Sequence, residues 1–297
     1  MKTIQPKDLS TQELQALLQG AVAPRPIAFV SSINKVGALN LSPFSYFNLF
    51  SANPPILVFS PSRRVRNNTT KDTLDNVLEV PEVVIHVVGH DLVEQMSLAS
   101  TEYAKGVNEF VKAGLTAVPS NLVAPPRVKE APVAFECKVL QVVPLGDQGG
   151  AGNLVICEVL QIHLDENILD TSGAIAPLKL NPVARLGGDW YTKITEDSLF
   201  QIPKPLTTLA IGVDQIPEEI RNSPVFSGNN LGRLGNVEQL PSPEEVALFA
   251  AREDLEDIRR RFRLDAESWT DHLHRWAKEE LEAGNVDLAW KILLQKI

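Results

Sequence analysis

The sequence predicts a mainly β chain with helices: an antiparallel barrel first, an extended arm next, and a helical tail last. Three observations carry this. At least six apolar runs of strand length alternate with turn residues, with no regular strand–helix–strand rhythm. Proline (21) outnumbers glycine (17) in 297 residues, a usage of strands and loops rather than helical bundles. Beyond residue 242 the apolar spacing changes to recurrence every three or four residues. The predicted domains are 1–202, 203–241 and 242–297.

In chain order, residues 7–20 predict a short amphipathic helix. Ser10 or Thr11 caps it, and Leu14, Leu17 and Leu18 share one face. Residues 27–33 predict the first strand, 34–37 a turn and 38–41 a second strand. Residues 42–53 hold Pro43, Phe44, Tyr46 and Phe47 and predict a loop with a helical turn packed on the barrel. A buried strand follows at 56–59. Residues 61–70 predict a polar loop with Arg63, Arg64 and Arg66, then come a helix at 70–79 and a strand at 82–88.

Residues 90–100 predict a helix, and 103–114 a helix or loop. Two long alternating strands follow at 133–143 and 154–164, joined by a flexible hairpin tip at 146–153. PVARLGGDWYT at 182–192 closes the barrel region. The stretch 203–241, with SGNNLGRLGN, predicts an extended arm. Ser242, Pro243 and Glu245 then signal a capped helix carrying Leu248, Ala251, Leu255, Ile258 and Phe262. A second helix carries Trp269, Leu273, Trp276 and Leu281, and a third runs over 286–295.

The net charge of −9 disfavours nucleic acid and anionic membrane surfaces as partners. No stretch approaches the roughly 20 apolar residues of a membrane-spanning helix. The start, MKTIQPKDLSTQELQ, lacks the apolar core of a secretion signal. The expected location is the cytoplasm. The two cysteines, Cys137 and Cys157, sit on the apolar side of alternating strands, as small buried hydrophobes.

Several chemistries lack their motif. Neither a dinucleotide-binding glycine triplet after a strand, nor a phosphate loop, nor a nucleophile elbow is present. His86 and His90 stand at a strand end rather than on one helical face, which is poor geometry for a metal. Three stretches remain. At residues 68–73, hydroxyls and free backbone N–H groups at a helix start, with Lys71, suit an anion. An ordinary capped helix reads the same way. At 40–45, short polar side chains at a strand end suit a planar hydrogen-bonding ring, or a surface loop anchored by aromatics. At 185–191, Gly187 and Gly188 permit close approach of backbone to a ligand, or a bulge. Tyr103 and Lys105 are further candidate contacts.

The ordered run RPIAFVSS…NLSPFSYFN…PPILVFS…KDT..N, with the later RLGG and NLGRLGN segments, resembles the flavin reductase-like, FMN-binding split-barrel family over residues 15–240. The resemblance implies a six-stranded antiparallel split barrel with a Greek-key connection. It implies a homodimer with FMN at the interface. Asn40, Leu41, Ser42 and Ser45 would line the flavin ring. Ser60, Lys71, Asp72 and Thr73 would hold the ribityl chain and phosphate, with Asn76 nearby. Arg185 and Gly187 would approach from the other side or from the partner subunit, and Arg25 would lie close. The family offers no side-chain acid or base that maps here, because the cofactor carries the chemistry. No catalytic residue and no metal is therefore expected.

The function expected is flavin reduction by NAD(P)H, with electrons passed to a small-molecule or protein acceptor. Two readings compete with it. One is a flavin-binding electron carrier that docks a protein partner. The other is a flavin-free scaffold whose tail presents Trp269 and Trp276.

Overall fold

The structure is a computed structural model that describes residues 1–202, 209–262 and 265–296. Residues 203–208, where the predicted arm begins, lie outside the described residues. The chain divides into two compact units, Met1–Phe200 and Gln201–Ile297.

In the first unit, a 3-10 turn at Pro6–Asp8 precedes helix α1 (Thr11–Ala21). Ser10 caps α1 reciprocally with Glu13: the Glu13 N–H donates to the Ser10 hydroxyl, and the Ser10 N–H donates to the Glu13 carboxylate. The helix buries none of its own residues. Then come β1 (Arg25–Pro26), β2 (Ala28–Ile33), β3 (Leu39–Phe44), β4 (Phe47–Ala52), β5 (Pro55–Phe59), α2 (Asp72–Glu79) and β6 (Glu82–Val87). Helices α3 (Val93–Ala99) and α4 (Glu109–Ala113) follow, then short β7 (Ala117–Val118) and β8 (Arg127–Val128). The long hairpin is β9 (Val133–Pro144) with β10 (Asn153–Leu164). Last are α5 (Pro177–Leu180), β11 (Val183–Arg185) and β12 (Tyr191–Lys193).

The main sheet has seven strands in the order β3-β2-β6-β9-β10-β5-β4, with every pairing antiparallel. Six were expected, and the sheet is not closed. The difference lies in 42–53, where β3 runs on to Phe44 and β4 replaces the expected loop and helical turn. Pro43 does not prevent this because β3 is an edge strand, where a missing N–H breaks no ladder bond. The two edges, β3 and β4, are joined only by Ser45 and Tyr46. The sheet must therefore curl until its edges meet at that corner. Ala28, Val30, Phe44, Phe59, Ile85, Cys137, Val155 and Cys157 meet in one apolar cluster inside the curl, closed by Leu74 and Val77 of α2. Burial pushes the Cys157 thiol up to about 12 and the Cys137 thiol up as well, so both are inert packing groups.

The other face of β2 and β3 is covered by α3 and α4. Ile27, Phe29 and Leu41 pack there with Leu92, Met96 and Phe110. His86 is fully buried on this side. The Val128 N–H donates to its Nε2 at 2.9 Å, which leaves Nδ1 carrying the proton toward Phe29 O at 2.8 Å. Desolvation lowers its pKa to about 4, so it is a neutral core histidine.

On the outer face of β6 and β9, buried Glu136 accepts from the N–H groups of Asn121 (2.8 Å) and Leu122 (2.6 Å) and pairs with His163 at 2.7 Å. It latches the loop at 119–126 to the sheet. The hairpin tip at 146–153, expected to be flexible, is folded onto the arginine loop. Gly150 N–H donates to Arg63 O at 2.9 Å, Arg63 N–H donates to Ala151 O at 2.8 Å, and a Cβ on Gly149 would lie 2.8 Å from Val65 O. Its glycines serve close packing rather than freedom.

The second unit is helical: α6 (Glu218–Arg221), α7 (Gly228–Gly235), α8 (Pro243–Ala250), α9 (Glu253–Arg261), α10 (Ala266–Glu282) and α11 (Val286–Leu293). Where an extended arm was expected, Ile216, Ile220, Phe226 and Leu234 enter the same core as Leu273, Leu281 and Trp290. The Trp290 indole N–H donates to Leu234 O at 3.1 Å. The helix expected from Ser242 through Phe262 breaks at Arg252, whose backbone is extended. Trp269 is buried in this core. Among the described residues no helix is long and apolar enough to cross a membrane.

Candidate functional site

The strand end at 40–45 and the helix start at 71–76 are neighbours. Register places Ser32 opposite Asn40 on β2 and β3. The Asn40 amide donates to Ser32 Oγ at 3.3 Å and to Thr73 Oγ1 at 2.7 Å, and the Asn76 amide donates to Ser32 Oγ at 3.1 Å. All four residues are buried. Ser32 was not anticipated. Its signal was its polarity near the end of a largely apolar strand, opposite Asn40 in register.

Lys71 is the N-cap of α2, and no side chain caps that helix. The Thr70 hydroxyl, a candidate cap, donates instead to Asp75 Oδ1 at 3.0 Å. The Leu74 N–H donates to Lys71 O at 2.9 Å, which leaves the N–H groups of Asp72 and Thr73 for another acceptor. The Lys71 ammonium lies 4.9 Å from the Phe44 ring centroid and forms no ion pair among the described residues. Burial lowers its pKa, Arg64 lowers it further, and Glu102 opposes this. A cation held against another cation, with no acid in contact, is an arrangement that an anion relieves.

The arginine loop resolves into three roles. Arg63 staples the loop itself, donating to Asn68 Oδ1 at 2.6 Å and to Asn68 O at 2.7 Å. Arg66 pairs with Glu102 at the surface. Arg64 donates to Thr69 Oγ1 at 3.0 Å and to Thr70 O, pairs with Glu102 at 3.2 Å, and is the arginine whose charge reaches Lys71.

Ser42 and Ser45 flank Phe44 at the corner where the sheet edges meet, both partly buried, with no hydrogen bond of their side chains among the described residues. Leu41 differs: its side chain is in the outer core, and its N–H donates to Glu109 Oε2 at 3.0 Å. Glu109, also unanticipated, covers the open edge of β3. Burial raises its pKa, with the Leu41 N–H opposing. The Ser60 hydroxyl accepts the Asn153 N–H at 3.0 Å. Tyr103 lies under Lys112, and Lys105 pairs with Asp75 at 3.7 Å.

Arg25, Arg185 and Gly187 form a separate group on β1 and β11, which pair directly. Arg25 donates to the carbonyls of Gln19 and Val22 and, at 2.9 Å, to Leu186 O. Arg185 donates to Gly188 O at 2.7 Å and lies over Tyr191. A Cβ on Gly187 would lie 3.1 Å from the Gly20 Cα, so this glycine admits the helix backbone rather than a ligand.

The flavin reductase like domain matches residues 21–180. An uncharacterised protein of Aquifex aeolicus is 42% identical over 187 residues, 63% of this chain and 93% of that one. Among solved structures, nitrilotriacetate monooxygenase component B from Bacillus cereus is 34% identical, with a TM-score of 0.64, covering 68% of this chain and 98% of that one. The 2-nitrobenzoate 2-nitroreductase of Pseudomonas fluorescens is 28% identical, with a TM-score of 0.60, covering 70% and 99%.

Proposed function

The chain belongs to the flavin reductase-like family, and from that premise we propose that it is an FMN-binding oxidoreductase drawing reducing equivalents from NAD(P)H. One observation carries the reading. A lysine without an acid partner among the described residues stands at the uncapped start of α2, whose Thr73 is hydrogen-bonded to Asn40 of a polar strand end. These residues fit a mononucleotide, which is a phosphate joined to a flat polar ring. When bound, FMN supplies hydride acceptance from the nicotinamide and onward electron transfer.

The chain's own residues bind and orient. Lys71 and the N–H groups of Asp72 and Thr73 would hold the phosphate, and Arg64 would add positive field. Ser42 and Ser45 offer hydroxyls toward the ring. Asn40, Thr73 and Asn76 fix strand to helix, and Leu41 contributes through the strand position that Glu109 pins. No side chain is assigned as acid or base.

Two neighbours above 25% identity, one a nitroreductase and one a monooxygenase component, support a redox reading. The proposal includes a homodimer with FMN at its interface, supported by exposed Leu49 and Phe50 on β4 and Ile162 on β10. It places the enzyme in the cytoplasm, in keeping with two free thiols.

The test is spectroscopic. Purified protein should bind FMN, and anaerobic NADH or NADPH should bleach it. Failure to bind FMN sinks the proposal. Bleaching by a protein donor, with none by either nicotinamide, replaces it with an electron carrier.

A further inference from the structure

Helix α1 is anchored at its two ends and stands clear between them. At its start, Thr11 meets the hairpin tip, where a Cβ on Gly150 would lie 2.7 Å from Thr11 Cγ2. At its end, Arg25 holds the carbonyls of Gln19 and Val22 and bridges to Leu186 O. Between the anchors lies a slot of about 370 Å³. Leu14, Leu18 and Val22, spaced at four residues, line one wall. Tyr46 lies opposite, its hydroxyl accepting from the Gln19 amide at 3.2 Å. This is why a well-capped helix buries none of its residues.

Among the described residues that line the slot, Arg25 alone is charged. Its side chain is buried, with the residue 6% exposed. Its terminal nitrogens donate only to the neutral carbonyls of Gln19, Val22 and Leu186, and its Nε–H is buried with no acceptor among the described residues. No carboxylate pairs with it among the described residues. A buried cation with open donors and no acid partner complements an anion, and the apolar walls complement the body that carries it. The volume sits at the low end for ligand pockets, room for about one ring.

We propose that the slot between α1 and Tyr46 binds a small aromatic carboxylate, with its ring against Leu14, Leu18 and Tyr46 and its carboxylate at Arg25. Tyr46 directly follows Ser45, so such a ligand adjoins the corner assigned above to the flavin ring. Binding at the slot is nevertheless independent of flavin.

Calorimetric titration of the full chain, freed of flavin, tests this with benzoate, benzamide and acetate. Benzoate is expected to bind at least tenfold more tightly than either the uncharged ring or the ringless anion. Leu18→Trp, a change at a half-exposed helix position that fills the slot, should weaken benzoate at least tenfold while leaving the melting temperature in place. Arg25→Lys should weaken it too, and where that variant folds poorly the tryptophan variant decides alone. Three results overturn the proposal: no benzoate binding, benzoate no tighter than benzamide, or Leu18→Trp without effect. A dimer that Leu18→Trp dissociates and that takes no benzoate also overturns it, assigning the slot to a second copy of the chain. Flavin binding followed in parallel keeps the readings apart, since its loss with benzoate binding intact refutes the flavin site only.

Discussion

The Asn40 amide donates to Thr73 Oγ1 at 2.7 Å, and this bond ties an edge strand to the first turn of a helix 33 residues later in the chain. The two ends of the proposed mononucleotide site are thereby set against each other before any ligand arrives. Preorganisation of this kind spares binding the cost of ordering them.

Truncating either partner should loosen that geometry. Asn40→Ala and Thr73→Val should each cost about 1–3 kcal/mol of stability in urea unfolding, because each leaves a buried polar group short of a partner. The double variant should cost less than the sum. Strict additivity would show that the bond does not couple strand to helix.

Lys71 should matter to affinity more than to folding. It has no acid partner to lose, so Lys71→Ala should leave the melting temperature nearly unchanged. Fluorescence titration should show FMN binding weaker by about 1–3 kcal/mol. Unaltered affinity would move the phosphate away from α2, with Arg64→Ala the next variant to measure.

Gly187 gives the opposite pattern. A methyl group there meets the Gly20 backbone at 3.1 Å, and a helix backbone cannot yield cheaply. Gly187→Ala should destabilise the first unit by about 1–3 kcal/mol. Its FMN affinity should match the parent protein; selective loss of FMN would return this glycine to the cofactor site.

His86 makes the fold acid-sensitive. In the unfolded chain it takes up a proton near pH 6.5, while in the native state burial delays this to about pH 4. The unfolded state therefore binds more protons across that window, and stability rises with pH there. The full contribution is present above pH 6.5. It is lost progressively as pH falls to about 4, to a total of about 3 kcal/mol. His86→Asn should be less stable at pH 7 yet show a shallower decline between pH 6.5 and 4. Parallel pH profiles for the two proteins would refute a neutral buried histidine.

Much of this was legible along the chain. Continuous apolar runs marked β2 and β6, which are buried on both faces, and alternation marked β9 and β10. Ser10 or Thr11, and Ser242 with Glu245, marked helix starts, because capping is local chemistry. Lys71 beside hydroxyls and helix N–H groups marked a place for an anion for the same reason. The ordered motifs pointed to the family, and the match over 21–180 agrees.

Other features depend on neighbours that no local pattern names. Pro43 argued against a strand, and only the edge position of β3 makes it harmless. Glycines at 146–153 suggested freedom, yet the arginine loop fills the space beside them. Gly187 suggested a ligand and receives a helix. The weak apolar spacing at 209–241 hid Ile216, Ile220 and Leu234, which find their partners only when α10 and α11 arrive. The sequence by itself determined most of the strands, the capped helix starts and what chemistry their ends can offer. The tertiary structure alone decided which ends meet, because hydrogen-bond partners such as Asn40 and Thr73 become neighbours only when the sheet curls and α2 closes its mouth.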